Sequence, residues 1–364
     1  MIKQKIVVKI GSSSLTNENG EIDEQKLTGY VEAIAALRKA NHTVVIVSSG
    51  AVAAGFKQLG YSVRPVTLKG RQAAAAVGQS LLIQSYIKKF QEHQLTPAQI
   101  LLTRSDFSNR ERYRNAFSTI MELLDRGIIP IINENDTVSV DELTFGDNDM
   151  LSALVSGFIH ADQLIILTDI NGLYTDNPMK NPNAKKYHFL EEISDNLLAA
   201  TGSDGSTMGT GGMKSKLEAA KTALSLGVST FIGTGEGKDS LLQILQGTGD
   251  GTYITNKSFT SINTSRQWIA LHSESFGKIY VDKGAEEAIL FNGRSLLPAG
   301  IIEVQGTFEK GDVVEVYGDK GLLGRGEVNY SSDEVKLEMK KRKEQRKLEP
   351  SIEVIHRNHW VEIN

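Results

Sequence analysis

The sequence predicts an α/β fold, a three-layer αβα sandwich with a mostly parallel sheet, followed by a small, mostly-β C-terminal domain. Two observations predict the sandwich. Apolar runs alternate with segments of helical periodicity as far as Gly251, and those runs are continuously apolar rather than alternating with polar residues. Strands covered by helices on both faces read in that way. A third observation predicts the second domain: from about Ser273 the segments become short and rich in Gly and β-branched residues.

Taken in order, residues 5–10 (KIVVKI) read as a buried strand ending at Gly11-Ser12-Ser13-Ser14, and residues 23–40 as a helix with Leu27, Val31, Ile34 and Leu37 on one face. A second strand, 43–47, is closed by Ser48-Ser49-Gly50 and followed by a small-residue helix over 51–59. Residues 73–92 read as a helix, 99–102 as a short strand and 112–126 as another helix. The apolar strand 128–132 leads into Asn133-Glu134-Asn135-Asp136. A helix over 148–160, a strand over 163–167 ending at Thr168-Asp169, a helix over 214–226 and a strand over 228–232 complete the alternation. Further on, 277–281, 301–304 and 313–317 read as strands. The implied division is a first domain over 1–256, a linker over 257–273 and a second domain over 274–364.

The chain has 364 residues, of which 40% are hydrophobic and 23% charged, which is ample for a globular core. A net charge of −4 supplies no global field for nucleic acid or an anionic membrane. The absence of cysteine excludes disulfides, thiolate metal sites and a cysteine nucleophile. Residues 1–10 lack the apolar core and cleavage site of a signal peptide, and no apolar run is long enough to span a bilayer, so the expected location is the cytoplasm.

In an open parallel sheet, ligands sit beyond the carboxyl ends of the strands, so the polar clusters at those ends are the candidates. Lys9 stands inside an apolar strand just before three serines. It reads either as a lysine snorkelling to water or as a cation aimed at phosphates. Ser48-Ser49-Gly50 reads either as an ordinary serine N-cap or as a helix N-terminus that receives a carboxylate. Asn133–Asp136 and Gly146-Asp147-Asn148-Asp149 are acidic, amide-rich clusters. Turn and cap chemistry explains such residues singly. Two clusters in one domain fit recognition of an amino group, or a site organised around phosphate and Mg²⁺.

Residues 202–216 (GSDGSTMGTGGMKSK) run from glycines straight into a helix with Lys214 and Lys216 in its first turn. The helix dipole disfavours cations there unless an anion faces them. Two familiar phosphate-binding signatures are absent: Met213 rather than Gly precedes Lys214, and no G-x-G-x-x-G follows the first strand. Residues 336–347, with seven basic and two acidic side chains, read either as a solvated helix or as an RNA-facing patch.

The ordered set VVKIGSSSL, VIVSSGAVAAG, AAVGQSLLIQ, QILLTRSDF, NENDTV, FGDNDMLSALV, LTDINGLYTDNP and GTGGMKSK resembles the amino-acid kinase superfamily, and within it the glutamate 5-kinases. It spans nearly all of residues 5–255, and SLLPAGI, GTFEKGDVVEV and EVIHR resemble a PUA domain. The resemblance implies ATP-dependent phosphorylation of the glutamate side-chain carboxylate, the first step of proline biosynthesis. It implies that Lys9 and Lys216 hold the β- and γ-phosphates and stabilise the transferring group, and that Asp149 organises those lysines. Ser49, Asp136 and Asn148 would bind glutamate; Thr168, Asp169, Thr210, Gly211, Gly212, Met213, Lys214, Ser215 and Lys216 would hold the nucleotide. Mg²⁺ would arrive on the ATP phosphates, with no protein ligand assigned. A homo-oligomer (dimer or tetramer), hand-off of the acyl phosphate to glutamyl-phosphate reductase and feedback inhibition by proline are further implications. The basic run 336–347 departs from the less basic stretch usual in such tails.

A glutamate carboxylate, with a pKa near ~4.3, is ionised at neutral pH, so the nucleophile needs no general base. The reaction needs in-line positioning and cancellation of charge between two anions. One rival reading stays in the superfamily, as an acetylglutamate, aspartate or nucleoside-monophosphate kinase. An acetylated substrate has no ammonium group, which makes Asp136 an awkward neighbour. Another rival is an RNA-binding protein acting through its C-terminal domain, which the near-neutral charge disfavours. A C-terminal domain serving assembly or regulation is preferred to one that binds RNA.

Overall fold

The computed structural model describes residues 2–138, 148–176, 181, 183–200, 212–255, 269, 275–319, 321–343 and 353–362. The chain divides into two compact units, one of Met1–Asp106 with Arg114–Ser261 and the other of Phe107–Tyr113 with Ile262–Asn364.

The strands up to residue 255 are β1 Lys5–Ile10, β2 Thr43–Ser48, β3 Pro97–Leu102, β4 Ile129–Glu134, β5 Gln163–Leu167, β6 Leu173–Tyr174, β7 Lys186–Tyr187, β8 Phe189–Leu190, β9 Ser229–Gly233 and β10 Gly251–Ile254. The helices are α1 Ser12–Leu15, α2 Glu24–Lys39, α3 Ala51–Gly55, α4 Leu68–Gln91, α5 Arg104–Ser108, α6 Arg110–Asp125, α7 Asn148–Phe158, α8 Asp195–Ala200, α9 Met213–Ser225 and α10 Ser240–Leu245. Eight strands form one sheet in the order β3-β4-β2-β1-β5-β9-β10-β8, and β6 pairs with β7 apart from it. The sheet is parallel except where β10 runs against β9. The mostly parallel, helix-covered sheet expected from the apolar runs is therefore present.

Side-chain alternation divides β1 between the two faces. Ile6, Val8 and Ile10 pack with Leu27, Val31 and Ile34 of α2 and with Leu82, Tyr86 and Phe90 of α4. Val7 and Lys9, of the other parity, lie on the opposite face, where α7 packs against β1. Register aligns the strand ends: Ile10 pairs with Ser48 and with Leu167, and Leu167 with Gly233.

Several boundaries differ from the sequence reading. Helix α4 starts at Leu68 rather than residue 73, because the Thr67 hydroxyl accepts from the Gly70 amide at 3.2 Å and caps it. The segment 51–59 is a five-residue helix followed by a separate 3₁₀ turn, Lys57–Leu59. Strand β4 runs on to Glu134, so Asn133 and Glu134 belong to the strand and not to the loop beyond it.

The second unit holds a five-stranded sheet ordered β12-β11-β13-β14-β15, with β11 Ser275–Val281, β12 Ile301–Gly306, β13 Val313–Gly318, β14 Gly321–Val328 and β15 Ile355–Glu362. Strands β11 and β13 are parallel and the other neighbours antiparallel. Helices Lys283–Leu290 and Ser332–Lys343 accompany the sheet, and Ile279, Val281, Phe308, Val314, Val316, Val335 and Ile355 lie in its core. The basic run read at 336–347 is helical to Lys343; 344–347 lie outside the described residues.

Candidate active site

Lys9 is 3% exposed, so it does not snorkel; its ammonium sits 2.5 Å from Asp149 Oδ1. Lys216 Nζ lies 3.2 Å from Asp149 Oδ2. Ser215 Oγ donates to that same oxygen at 2.9 Å. The carboxylate is fully buried and stands in the first turn of α7, where the helix dipole favours an anion. The strand end of β1, the first turn of α7 and the first turn of α9 thus bring two cations onto one carboxylate. Charges are almost never buried this deeply unless paired, and here each has its partner.

Asn148, the residue before Asp149, turns toward a different group of side chains. Its amide nitrogen donates to Ser48 O at 2.8 Å, to Asn133 Oδ1 at 2.8 Å and to Ser49 Oγ at 3.0 Å. Ser49 is therefore not the N-cap of α3. That position belongs to Gly50, whose φ of 106° lies in the left-handed region, and no side chain caps the helix. Asp136 follows β4 closely. Burial, then the neighbouring carboxylate of Glu134, pushes its pKa up to about 6, while Arg71 and Arg64 pull it down. The two arginines were not singled out in the sequence; nothing in their spacing from Asp136 marks them.

On the other side of β1, Thr168 and Asp169 follow β5, and the Thr168 hydroxyl donates to Asp169 Oδ1 at 3.0 Å. The Thr168 amide bonds Gly233 O at 3.0 Å, tying this turn to the end of β9. Gly212 is the N-cap of α9, and Met213 is its first residue. Lys214 points elsewhere than Lys216: it is about half exposed and faces Glu218 at 3.8 Å. Thr210, Gly211, Gly146 and Asp147 lie outside the described residues. Among the described residues no group of three or more His, Asp or Glu side chains could hold a metal ion.

A model of the amino acid kinase family matches residues 4–234, which is more than half of the chain. The chain belongs to the amino acid kinase family. A model of the PUA domain matches residues 277–348 of this amino acid kinase, within its second unit. Curated relatives named glutamate 5-kinase 1 are 64% identical in Bacillus licheniformis and 62% in Bacillus subtilis, each covering 100% of both chains. Among solved structures, carbamate kinase from Giardia lamblia bound to AMP-PNP has a TM-score of 0.53 at 16% identity, over 70% of this chain and 99% of that one. That likeness concerns the fold alone.

The family's sheet explains the placement of the site. Strands from distant parts of the chain end in one row, so residues at positions 9, 48, 133 and 168 gather along one edge of the sheet. The sequence reading passed over Gln79, whose side chain accepts from Asn133 Nδ2 at 2.8 Å. The signal available was a lone polar residue on the buried face of a predicted helix, which spacing alone does not separate from a satisfied core amide. A cavity of about 750 Å³ in the second unit is lined by Asp282, Arg294, Ser295, Glu353, His356 and Arg357, among others, and holds none of the kinase candidates. No described helix is long and apolar enough to cross a membrane.

Proposed function

We propose that this amino acid kinase transfers the γ-phosphoryl group of ATP to the γ-carboxylate of L-glutamate, giving L-glutamyl 5-phosphate and ADP. The observation that carries the reading is the buried convergence of Lys9 and Lys216 on Asp149. The full-length identity to glutamate 5-kinases supports the choice of acceptor. A carboxylate oxygen of glutamate attacks the γ-phosphorus, and the bond from phosphorus to the β,γ-bridging oxygen breaks toward ADP. No proton moves, because the attacking group is already ionised. Lys9 and Lys216 turn from Asp149 to the phosphoryl oxygens and cancel their charge, and Asp149 keeps the two ammonium groups aimed at one place.

Ser49, Asp136 and Asn148 are proposed to hold glutamate, with Asp136 pairing its α-ammonium group. Thr168, Asp169 and the segment 210–216 are proposed to hold ATP. Mg²⁺, when bound, offsets part of the triphosphate charge. The residues fit a metal carried by the phosphates, since the buried acid of the cluster has both oxygens committed to Lys9, Lys216 and Ser215. The proposed organisation is a kinase domain over 1–256, a linker over 257–273 and a PUA domain over 274–364, in a cytoplasmic homo-oligomer. The acyl phosphate hydrolyses readily, so it is passed to a reductase on the route to proline.

The test is a substrate panel with ATP and Mg²⁺ in which hydroxylamine traps acyl phosphate. Glutamate is expected to give hydroxamate, and aspartate and N-acetylglutamate little. Equal signal from N-acetylglutamate would remove the assignment of Asp136 to an ammonium group.

A further inference from the structure

We infer that Gln79, on α4, is a positioning residue that completes the buried amide chain holding Asn148 in place, with its oxygen left for the substrate. The inference rests on the proposed reading of Asn148 as a glutamate-binding residue. Two backbone groups make the orientation unambiguous. The Glu134 amide is an obligatory donor and reaches Asn133 Oδ1 at 2.9 Å, so the Asn133 oxygen lies on that side. The Ser48 carbonyl is an obligatory acceptor and lies 2.8 Å from the Asn148 side-chain nitrogen, so the Asn148 nitrogen lies on that side.

The rest of the chain of amides follows from these anchors. Asn133 Oδ1 also accepts from Asn148, and its Nδ2 must then find an acceptor on its far side. Gln79 Oε1 supplies it at 2.8 Å, and Gln79 Nε2 passes on to Oε1 of the exposed Gln99, at 3.2 Å on the edge strand β3. Asn133 is 2% exposed and Gln79 8%, so water is not a ready substitute for either bond. The consequence falls on Asn148. Both of its amide hydrogens are committed to Ser48, Ser49 and Asn133, and its oxygen, on the opposite side of a planar amide, makes no hydrogen bond among the described residues. An oxygen held in that way selects a donor, such as the ammonium group of an α-amino acid. Without an acceptor at Gln79, Asn133 Nδ2 is left unpaired in a buried place, and the hold of Asn133 on Asn148 loosens.

The variants Gln79→Met and Gln79→Glu separate this role from simple packing. Methionine has nearly the same shape but is no acceptor of this quality for Asn133. Glutamate keeps the acceptor, and the exposed Gln99 amide can turn over to donate to it. The measurements are kcat and KM for L-glutamate, for 2-hydroxyglutarate and for ATP, with the thermal midpoint of each variant. The hydroxyl of 2-hydroxyglutarate donates or accepts equally well, so it is indifferent to the orientation of Asn148.

In Gln79→Met the glutamate KM is expected to rise at least about tenfold, and the preference for glutamate over 2-hydroxyglutarate to fall by a similar factor, with the ATP KM unchanged. Gln79→Glu is expected to stay within about threefold of the wild type. Equal losses on both acceptors, an unchanged glutamate KM in Gln79→Met, or a Gln79→Glu variant as poor as Gln79→Met would each overturn the relay. A wild type that forms no hydroxamate from glutamate would overturn the underlying substrate reading, and the relay's proposed purpose with it.

Discussion

Two ammonium groups held close together away from water repel each other. Asp149 lies between Lys9 and Lys216 and offsets that repulsion, so the cations stay together before a triphosphate arrives. Lys9→Ala and Lys216→Ala are each expected to lower kcat by about a hundred- to a thousandfold, the usual loss for one transition-state contact, with the fold retained. Steady-state kinetics beside a thermal melt checks this, and near-normal turnover in both variants would remove the lysines from the mechanism. Asp136 gives a second expectation at this scale. Its pKa of about 6 reflects burial and Glu134 opposed by Arg71 and Arg64. Because the folded pKa is raised, its contribution to stability is fully present below the unfolded pKa and is lost as pH rises through about 6. Its proposed role runs the other way, since only the carboxylate pairs with an ammonium group. The kcat/KM for glutamate is therefore expected to fall about tenfold per unit below that pH, and Asp136→Asn to abolish this acid limb. A pH profile of both proteins decides it.

At the scale of elements, α7 is the bridge between the two halves of the site. Successive residues on a helix diverge by about 100°, so Asn148 faces the amide network of β2 and β4 while Asp149 faces the lysines. The crossing of α3 and α4 fixes the rest of that network. A Cβ at Gly78 would lie 1.8 Å from the Ala51 carbonyl oxygen, and one at Gly55 would lie 2.1 Å from the Ala74 carbonyl oxygen. The two helices touch backbone to backbone, and the neighbouring Gln79 inherits its position from that contact. Gly78→Ala is expected to destabilise the protein by roughly 1–3 kcal/mol through overpacking, read as a fall in Tm of about 2–12 °C. An unchanged Tm would mean that the crossing can open without penalty. Sequence patterns located both helices, yet the small-residue run 51–59 says nothing of which partner those residues approach.

For the whole molecule, the small net charge and the mixed lining of the second unit's cavity point the same way. Arg294 and Arg357 are matched there by Asp282 and Glu353, so no field of one sign gathers a polyanion. RNA affinity is expected to be weak at low salt, with a shallow dependence on salt concentration. Filter binding across a salt series tests this, and a steep log–log slope that resides in the second unit would assign it an RNA-facing role.

Local pattern was enough for the alternation of strands and helices and for the parallel sheet, because hydrophobic period and continuous burial are written over a few consecutive residues. It also marked Lys9, and Lys214 and Lys216 alike, since a cation in an apolar strand and cations in the first turn of a helix contradict their surroundings; pattern did not separate Lys216, which meets Asp149, from the half-exposed Lys214. Strand β14 was missed: five of its eight residues are glycine or charged, and it is held by pairing with β13 and β15 rather than by its own propensity. That Asp149 receives both lysines was an expectation of the resemblance and of no local pattern, and tertiary structure alone decided that Gln79 would reach Asn133, 54 positions further along the chain. Such contacts arise where strand register and helix crossing bring remote segments within hydrogen-bond reach, and no local preference encodes a distance between remote segments.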